Sequence, residues 1–200
     1  MSQHPSRADE IVATTLDLAE DHGVAKLTTA ALARRLNFTE AALYRYFPSK
    51  DSILSAALQR TAETLFASMA VDLDPSPGSQ AGEVEARLRH HIRRFCERQG
   101  TLLELVLAAS TVRSGELQEA GNAFLQEYYQ RMAVCFEQLR ECGLISGPAP
   151  VAELTSLWTC QLLGGFVRCR LTNEPWDPEA QEGFRAFLHR LQTSRTASSA

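Results

Sequence analysis

The chain has 200 residues, a formal net charge of −4 and 44% hydrophobic residues, enough to bury a core in one large domain or in a small module joined to a medium one. Apolar residues nowhere run on for the roughly 20 positions of a membrane span, and the polar opening Met1 to Glu10 lacks a secretory signal's apolar stretch; a cytoplasmic protein with no membrane partner is expected. The five cysteines, odd in number and without a C-x-x-C pair, exclude a disulfide framework or a zinc site by spacing and read as small buried apolar residues.

Apolar residues recur at helical spacing along nearly the whole chain, and strand-like alternation and Asn-Gly hairpin turns are absent. An all-α fold of about nine helices is expected. In the first helix Ile11, Thr15, Leu18 and Ala19 share a face. Ser6 caps it, Asp9 completes a capping box, and Gly23 offers a left-handed stop. A second helix reads over 28–36, capped by Thr28, with Leu27 and Leu32 spaced as a hydrophobic staple. A third reads over 39–47, capped by Thr39, with Phe38 and Leu43 repeating the staple. Between them Asn37 tolerates positive φ. Pro48 ends the third helix, and Ser49 opens a long fourth one to about 71. The stretch 72–82, with Asp-Pro-Ser-Pro-Gly-Ser, reads as a loop. Helices follow over about 83–99, 102–112, 114–142, 150–171 and 177–191, with Gly121 as a possible break in the third of these and Gly143 as its stop.

Two short helices joined by a tight turn behind a longer one form a helix-turn-helix, whose second short helix fits a DNA major groove. With Leu43 and Phe47 facing the core, Thr39, Glu40, Ala42, Tyr44 and Tyr46 point outward. Two exposed phenols on so short a helix suit phosphate and sugar contacts. Lys50 stands at the next helix's N-terminus, where a phosphate is favoured, and Thr28 and Thr29 open the second helix in the same way. Glu40 repels phosphate but can accept a hydrogen bond from cytosine N4. Charge distribution agrees in part: Met1 to Arg60 is balanced, with its acids mostly before Lys26 and its bases mostly after.

From about Arg7 to Leu54 the chain resembles the TetR family of transcriptional regulators. The resemblance is carried by Ala-Glu-Asp-His-Gly at 19–23, Leu-Thr-Thr-Ala-Ala-Leu-Ala at 27–33 and, above all, Thr-Glu-Ala-Ala-Leu-Tyr-Arg-Tyr-Phe-Pro-Ser-Lys at 39–50. In that family a Leu-Tyr-x-His-Phe-x-x-Lys run is diagnostic; here Tyr46 stands at the histidine and Asn37 at the usual turn glycine. The same stretch is also similar to a TetR-like regulator of cell division. The resemblance implies that Thr39, Ala41, Ala42, Tyr44 and Tyr46 line the DNA-facing helix and that Tyr44 and Lys50 meet phosphates. It also implies a three-helix DNA-binding domain over 1–48 and a helical ligand-binding and dimerisation domain over 49–200.

For the inducer pocket Leu103, Leu107, Phe124, Tyr128, Trp158 and Phe166 are the candidates, suited to a small, mostly apolar ligand. For the homodimer interface they are Leu154, Leu157, Leu162 and Phe166 on the helix before 171, with Phe184, Phe187, Leu188 and Leu191 on the last one. Gly164 and Gly165 would allow close helix approach. His90 and His91, with Arg87 and Arg94 nearby, read as a solvated face, with an anion site as the alternative. No Ser-His-Asp order, metal-ligand spacing or glycine-rich phosphate loop occurs, so no enzyme, metal or cofactor is expected. Two functions fit these residues: a repressor released from a palindromic operator by a small molecule, or a scaffold on double-stranded DNA that recruits a protein partner.

Overall fold

The computed structural model describes residues 6–73, 81–98, 100–141, 143, 145 and 149–174. Among the described residues all regular structure is helical: α1 (Arg7–His22), a 3-10 turn (Val24–Lys26), α2 (Thr29–Leu36), α3 (Glu40–Leu43), α4 (Lys50–Asp72), α5 (Ala81–Arg98), α6 (Gly100–Thr111), α7 (Glu116–Glu141) and α8 (Val151–Thr172). The expected last helix over 177–191 and most of the loop over 72–82 lie outside the described residues. The chain divides into two compact units, Met1–Thr64 with Gly100–Leu125, and Leu65–Gln99 with Gln126–Ala200.

In the first unit α1 starts where a capping box closes. The Asp9 N–H donates to Ser6 Oγ at 3.1 Å, and the Ser6 N–H donates to the Asp9 carboxylate at 3.0 Å. Its apolar stripe, Ile11, Val12, Leu18 and Ala19, is buried. Gly23 ends the helix, but with φ 85° and ψ 149° it is extended at positive φ and not in the left-handed helical well. The 3-10 turn that follows has no periodic signal. It depends on a residue far away in sequence, since the Val24 N–H donates to the Glu104 carboxylate on α6 at 2.8 Å. Helix α6 packs on this turn and on α1.

Gly121 does not break α7, which runs unbroken from Glu116 to Glu141. A Cβ at Gly121 would stand 2.7 Å from the Ala109 Cβ, so the glycine is there for close approach of α7 to α6.

The core of the second unit is aromatic. Tyr128 and Trp158 are both buried, and the Trp158 Nε1–H donates to the Tyr128 hydroxyl at 2.9 Å. Each ring thereby finds a partner for its polar tip and contributes apolar area at no loss of hydrogen bonding. Phe95 lies 5.8 Å from the Tyr128 ring, and Phe136 meets Trp158 edge-on at 6.0 Å. Burial pushes the Cys135 thiol up to about 12, which keeps it protonated and inert. Helix α8 stops at Asn173, which adopts the left-handed conformation at φ 56°.

Candidate DNA-reading site

Helix α2 begins at Thr28, whose side chain accepts from the Ala31 N–H at 3.1 Å, and Leu27 and Leu32 of the staple are both buried. It ends at Asn37, left-handed at φ 58°. The Phe38 N–H returns to the Ala33 carbonyl at 2.8 Å and the Asn37 N–H to the Arg34 carbonyl at 3.3 Å. These two bonds form a Schellman turn, with asparagine in the place that glycine usually fills. Thr39 then caps α3, accepting from the Ala42 N–H at 3.2 Å.

Helix α3 is much shorter than the spacing predicts, Glu40–Leu43 in place of 39–47. Residues 44–46 form a turn, closed by Tyr46 N–H to Leu43 carbonyl at 2.9 Å. The Phe47 N–H still reaches the Leu43 carbonyl at 3.0 Å, and after Pro48 the residues Ser49 and Ser52 cap α4 by donating N–H bonds to each other's hydroxyl at 3.0 Å.

Leu43 is fully buried and anchors the segment; Phe47, expected beside it in the core, is only half-buried. Tyr44 and Tyr46 are 46% and 45% exposed. Thr28, Thr39, Glu40 and Ala41 are exposed, and Thr29, Ala42 and Lys50 half-buried. Lys50 is the first residue of α4. Thr29 does not stand free: its hydroxyl donates to the Glu40 carboxylate at 2.6 Å, so the two residues assigned separate contacts bind each other. Periodicity missed one neighbour. The Arg7 guanidinium sits over the Phe38 ring at 5.8 Å, a contact between residues too far apart in sequence for spacing to show.

The other candidate residues are placed differently. Leu103 and Phe124 are buried and Leu107 half-buried in the first unit, while Tyr128, Trp158 and Phe166 are buried in the second, so the six do not gather within either unit. Three expected dimer residues, Leu154, Leu162 and Phe166, are buried in the single chain and leave little surface for a partner. The exposed side of α8 carries Leu157, Cys160, Gly164, Val167 and Leu171 instead. Apolar residues lie on more than one face of this helix, and apolar character alone does not say which face turns inward. Phe184, Phe187, Leu188 and Leu191 lie outside the described residues. His91, expected on a solvated face, is buried against Phe95 at 6.3 Å; His90 is exposed.

Among the described residues no helix is long and apolar enough to cross a membrane, and no group of acids, cysteines and histidines could hold a metal ion. A model of the family described as "Bacterial regulatory proteins, tetR family" matches residues 11–57, the stretch holding α2, α3 and the start of α4. The nucleoid occlusion factor SlmA of Marinomonas sp. (strain MWYL1) is 30% identical over 138 residues, covering 54% of this chain and 70% of that protein. This chain belongs to the TetR family. SlmA of Aliivibrio fischeri (strain MJ11) is similar over more of the chain, 28% identical over 188 residues and covering 92% of each protein. The regulatory protein TetR from Rhodobacter sphaeroides has the same fold, with a TM-score of 0.69 at 19% identity over 94% of this chain and 99% of that one. As a TetR-family member the chain is a DNA-binding transcriptional regulator and not an enzyme.

Proposed function

We propose that this TetR-family chain acts as a homodimeric repressor that reads a palindromic operator with the surface around α3. The observation that carries this reading is the exposure of Tyr44 and Tyr46 beside the Thr39 cap, with Lys50 at the start of α4. Residues 1–48 are assigned the reading role, with Thr28, Thr39, Ala41, Ala42, Tyr44, Tyr46 and Lys50 meeting DNA; Thr29 and Glu40 act as a bonded pair at its edge. Residues 49–200 are assigned dimerisation and response. Selection from a random duplex pool tests the reading: it should return a palindrome whose half-sites repeat at about 34–36 Å or a multiple.

The dimer face is assigned to the exposed side of α8. Leu157, Cys160, Gly164, Val167 and Leu171 follow one another at alternating steps of three and four, the spacing of a helix–helix seam. Leu157 is 45% and Leu171 82% exposed in the single chain, a cost that a second copy would remove. A Cβ at Gly164 would meet nothing within 4 Å among the described residues, which leaves room for the partner helix.

Release of the operator by a small, mostly apolar ligand remains the proposed regulation, by ligand binding that favours a conformation misfitting the operator. A second reading has support of its own. The similarity to nucleoid occlusion factors extends over 92% of both chains and so is not confined to the reading head. On that reading the DNA-bound dimer recruits a protein partner and needs no inducer. A gel-shift assay across an apolar ligand panel, run beside a pull-down on the operator-bound dimer, separates the two.

A further inference from the structure

Arg7 is the first residue of α1, and its side chain is 60% exposed. Its guanidinium carbon lies 5.8 Å from the centroid of Phe38, inside the range of cation–π attraction. Phe38 follows the Asn37 turn and precedes the Thr39 cap, so this contact joins the start of α1 to the entry of the reading segment. Nη1 of Arg7 donates to the Glu10 carboxylate at 2.5 Å. That bond and the Glu10 charge hold the guanidinium above its ordinary value. The other acid in this turn is already engaged: the Asp9 carboxylate accepts from Ser6, and Arg60 donates to the Asp9 carbonyl at 3.3 Å.

We propose that Arg7 is a further phosphate-binding residue of the DNA-reading surface, joined to the entry of the reading segment through Phe38, and that Glu10 is a resident counter-ion that competes with the DNA backbone for it. This rests on the DNA-reading role assigned to the α3 surface. A guanidinium has five N–H donors, and Glu10 engages Nη1 alone in this geometry. Stacking on Phe38 limits the motion of its plane, so less freedom is lost when a phosphate oxygen is met. A duplex carries about one negative charge per 1.7 Å of axis. Such a field attracts Arg7 and repels Glu10, and it therefore opens the pair at the moment of docking. The pair lowers affinity for any duplex by the cost of that opening.

The test is fluorescence anisotropy over a salt series, on a duplex recovered from a random pool by the wild-type protein and on a mixed-sequence duplex. Arg7→Met keeps the stem that covers Phe38 and removes the charge. It should make the slope of log K against log salt shallower by about 0.9 and weaken binding to both duplexes by about five-fold. Glu10→Gln, which leaves Arg7 in place, should tighten binding to both and keep the slope. An unchanged slope in Arg7→Met together with unchanged affinity in Glu10→Gln would overturn the inference and leave Arg7 as a cover for Phe38. A wild-type protein that binds neither duplex would overturn the DNA-reading role itself, which is a separate result.

Discussion

Thr29 and Glu40 are joined by a 2.6 Å hydrogen bond between the first residues of α2 and α3, so the two short helices are tied at their N-terminal ends as well as through the Asn37 turn. The carboxylate therefore has two effects. It fixes the reading segment, and it places a negative charge where a phosphate backbone is proposed to pass.

These effects separate by substitution. Thr29→Val removes the tie and keeps the charge; it should weaken binding to the selected operator by a few-fold, near 1 kcal/mol, as expected for one exposed hydrogen bond. Glu40→Ala removes both, so binding to a mixed-sequence duplex should tighten while the ratio of operator to mixed-sequence affinity falls. Paired Kd values on the two duplexes check this. A Glu40→Ala protein that keeps the wild-type ratio would show that the tie has no part in discrimination.

Two glycines on long helices should respond in opposite ways to the same change. Gly121→Ala forces a methyl to within 2.7 Å of the Ala109 Cβ, and it should destabilise the protein by about 1–3 kcal/mol despite alanine's better helix propensity. At Gly164 the space is open among the described residues. Gly164→Phe should leave the folded monomer intact and abolish the dimer, because the ring would occupy the seam proposed on α8. Thermal melts read the first change and light scattering after size exclusion reads the second; a dimeric Gly164→Phe protein would remove that assignment.

The bond from Trp158 to Tyr128 makes the two residues energetically coupled. Trp158→Phe takes this donor from the Tyr128 hydroxyl and should cost about 1–3 kcal/mol. In a double-mutant cycle with Tyr128→Phe the combined loss should be smaller than the sum, by about 0.5 kcal/mol or more. Additive losses measured by denaturant melts would mean that the bond contributes nothing.

The α1 cap carries a pH signature. Hydrogen bonds from Ser6, with a lesser contribution from Arg60, hold the Asp9 carboxyl below its ordinary value of 3.8. Because the folded value is the lower one, the cap's contribution is present above the unfolded value and is lost as pH falls through the folded one. Ser6→Ala should destabilise α1 at neutral pH and flatten this acid-side loss. An acid profile identical to wild type would contradict the assignment.

Much of the reading head was legible because its signals are local. Ser6 with Asp9, Thr28, Thr39 and Asn37 each act within a few residues, and the run from Thr39 to Lys50 carries the family resemblance. What the sequence hid depends on distance or direction. The 3-10 turn needs Glu104, and the Arg7 contact needs Phe38. Gly121 looks like a break until its neighbour Ala109 is seen across the helix pair. On α8 apolar residues occur on every side, so composition could not separate Leu162 and Phe166, which turn inward, from Leu157 and Leu171, which do not. Apolar spacing continues from Leu43 to Phe47, and nothing local in the sequence marks the end of α3 at Leu43, where a turn over 44–46 takes over.

Whether the exposed face of Tyr44 and Tyr46 meets DNA is read from a single binding isotherm. On a duplex selected by the wild-type protein, Tyr44→Phe removes one oxygen from a side chain that is nearly half exposed and leaves the buried anchor Leu43 untouched. Loss of one phosphate hydrogen bond should weaken binding by about five-fold, and Tyr44→Ala combined with Tyr46→Ala should lower it to the mixed-sequence level while the melting temperature holds. A folded double variant that binds the selected duplex as tightly as wild type would show that this face does not read DNA.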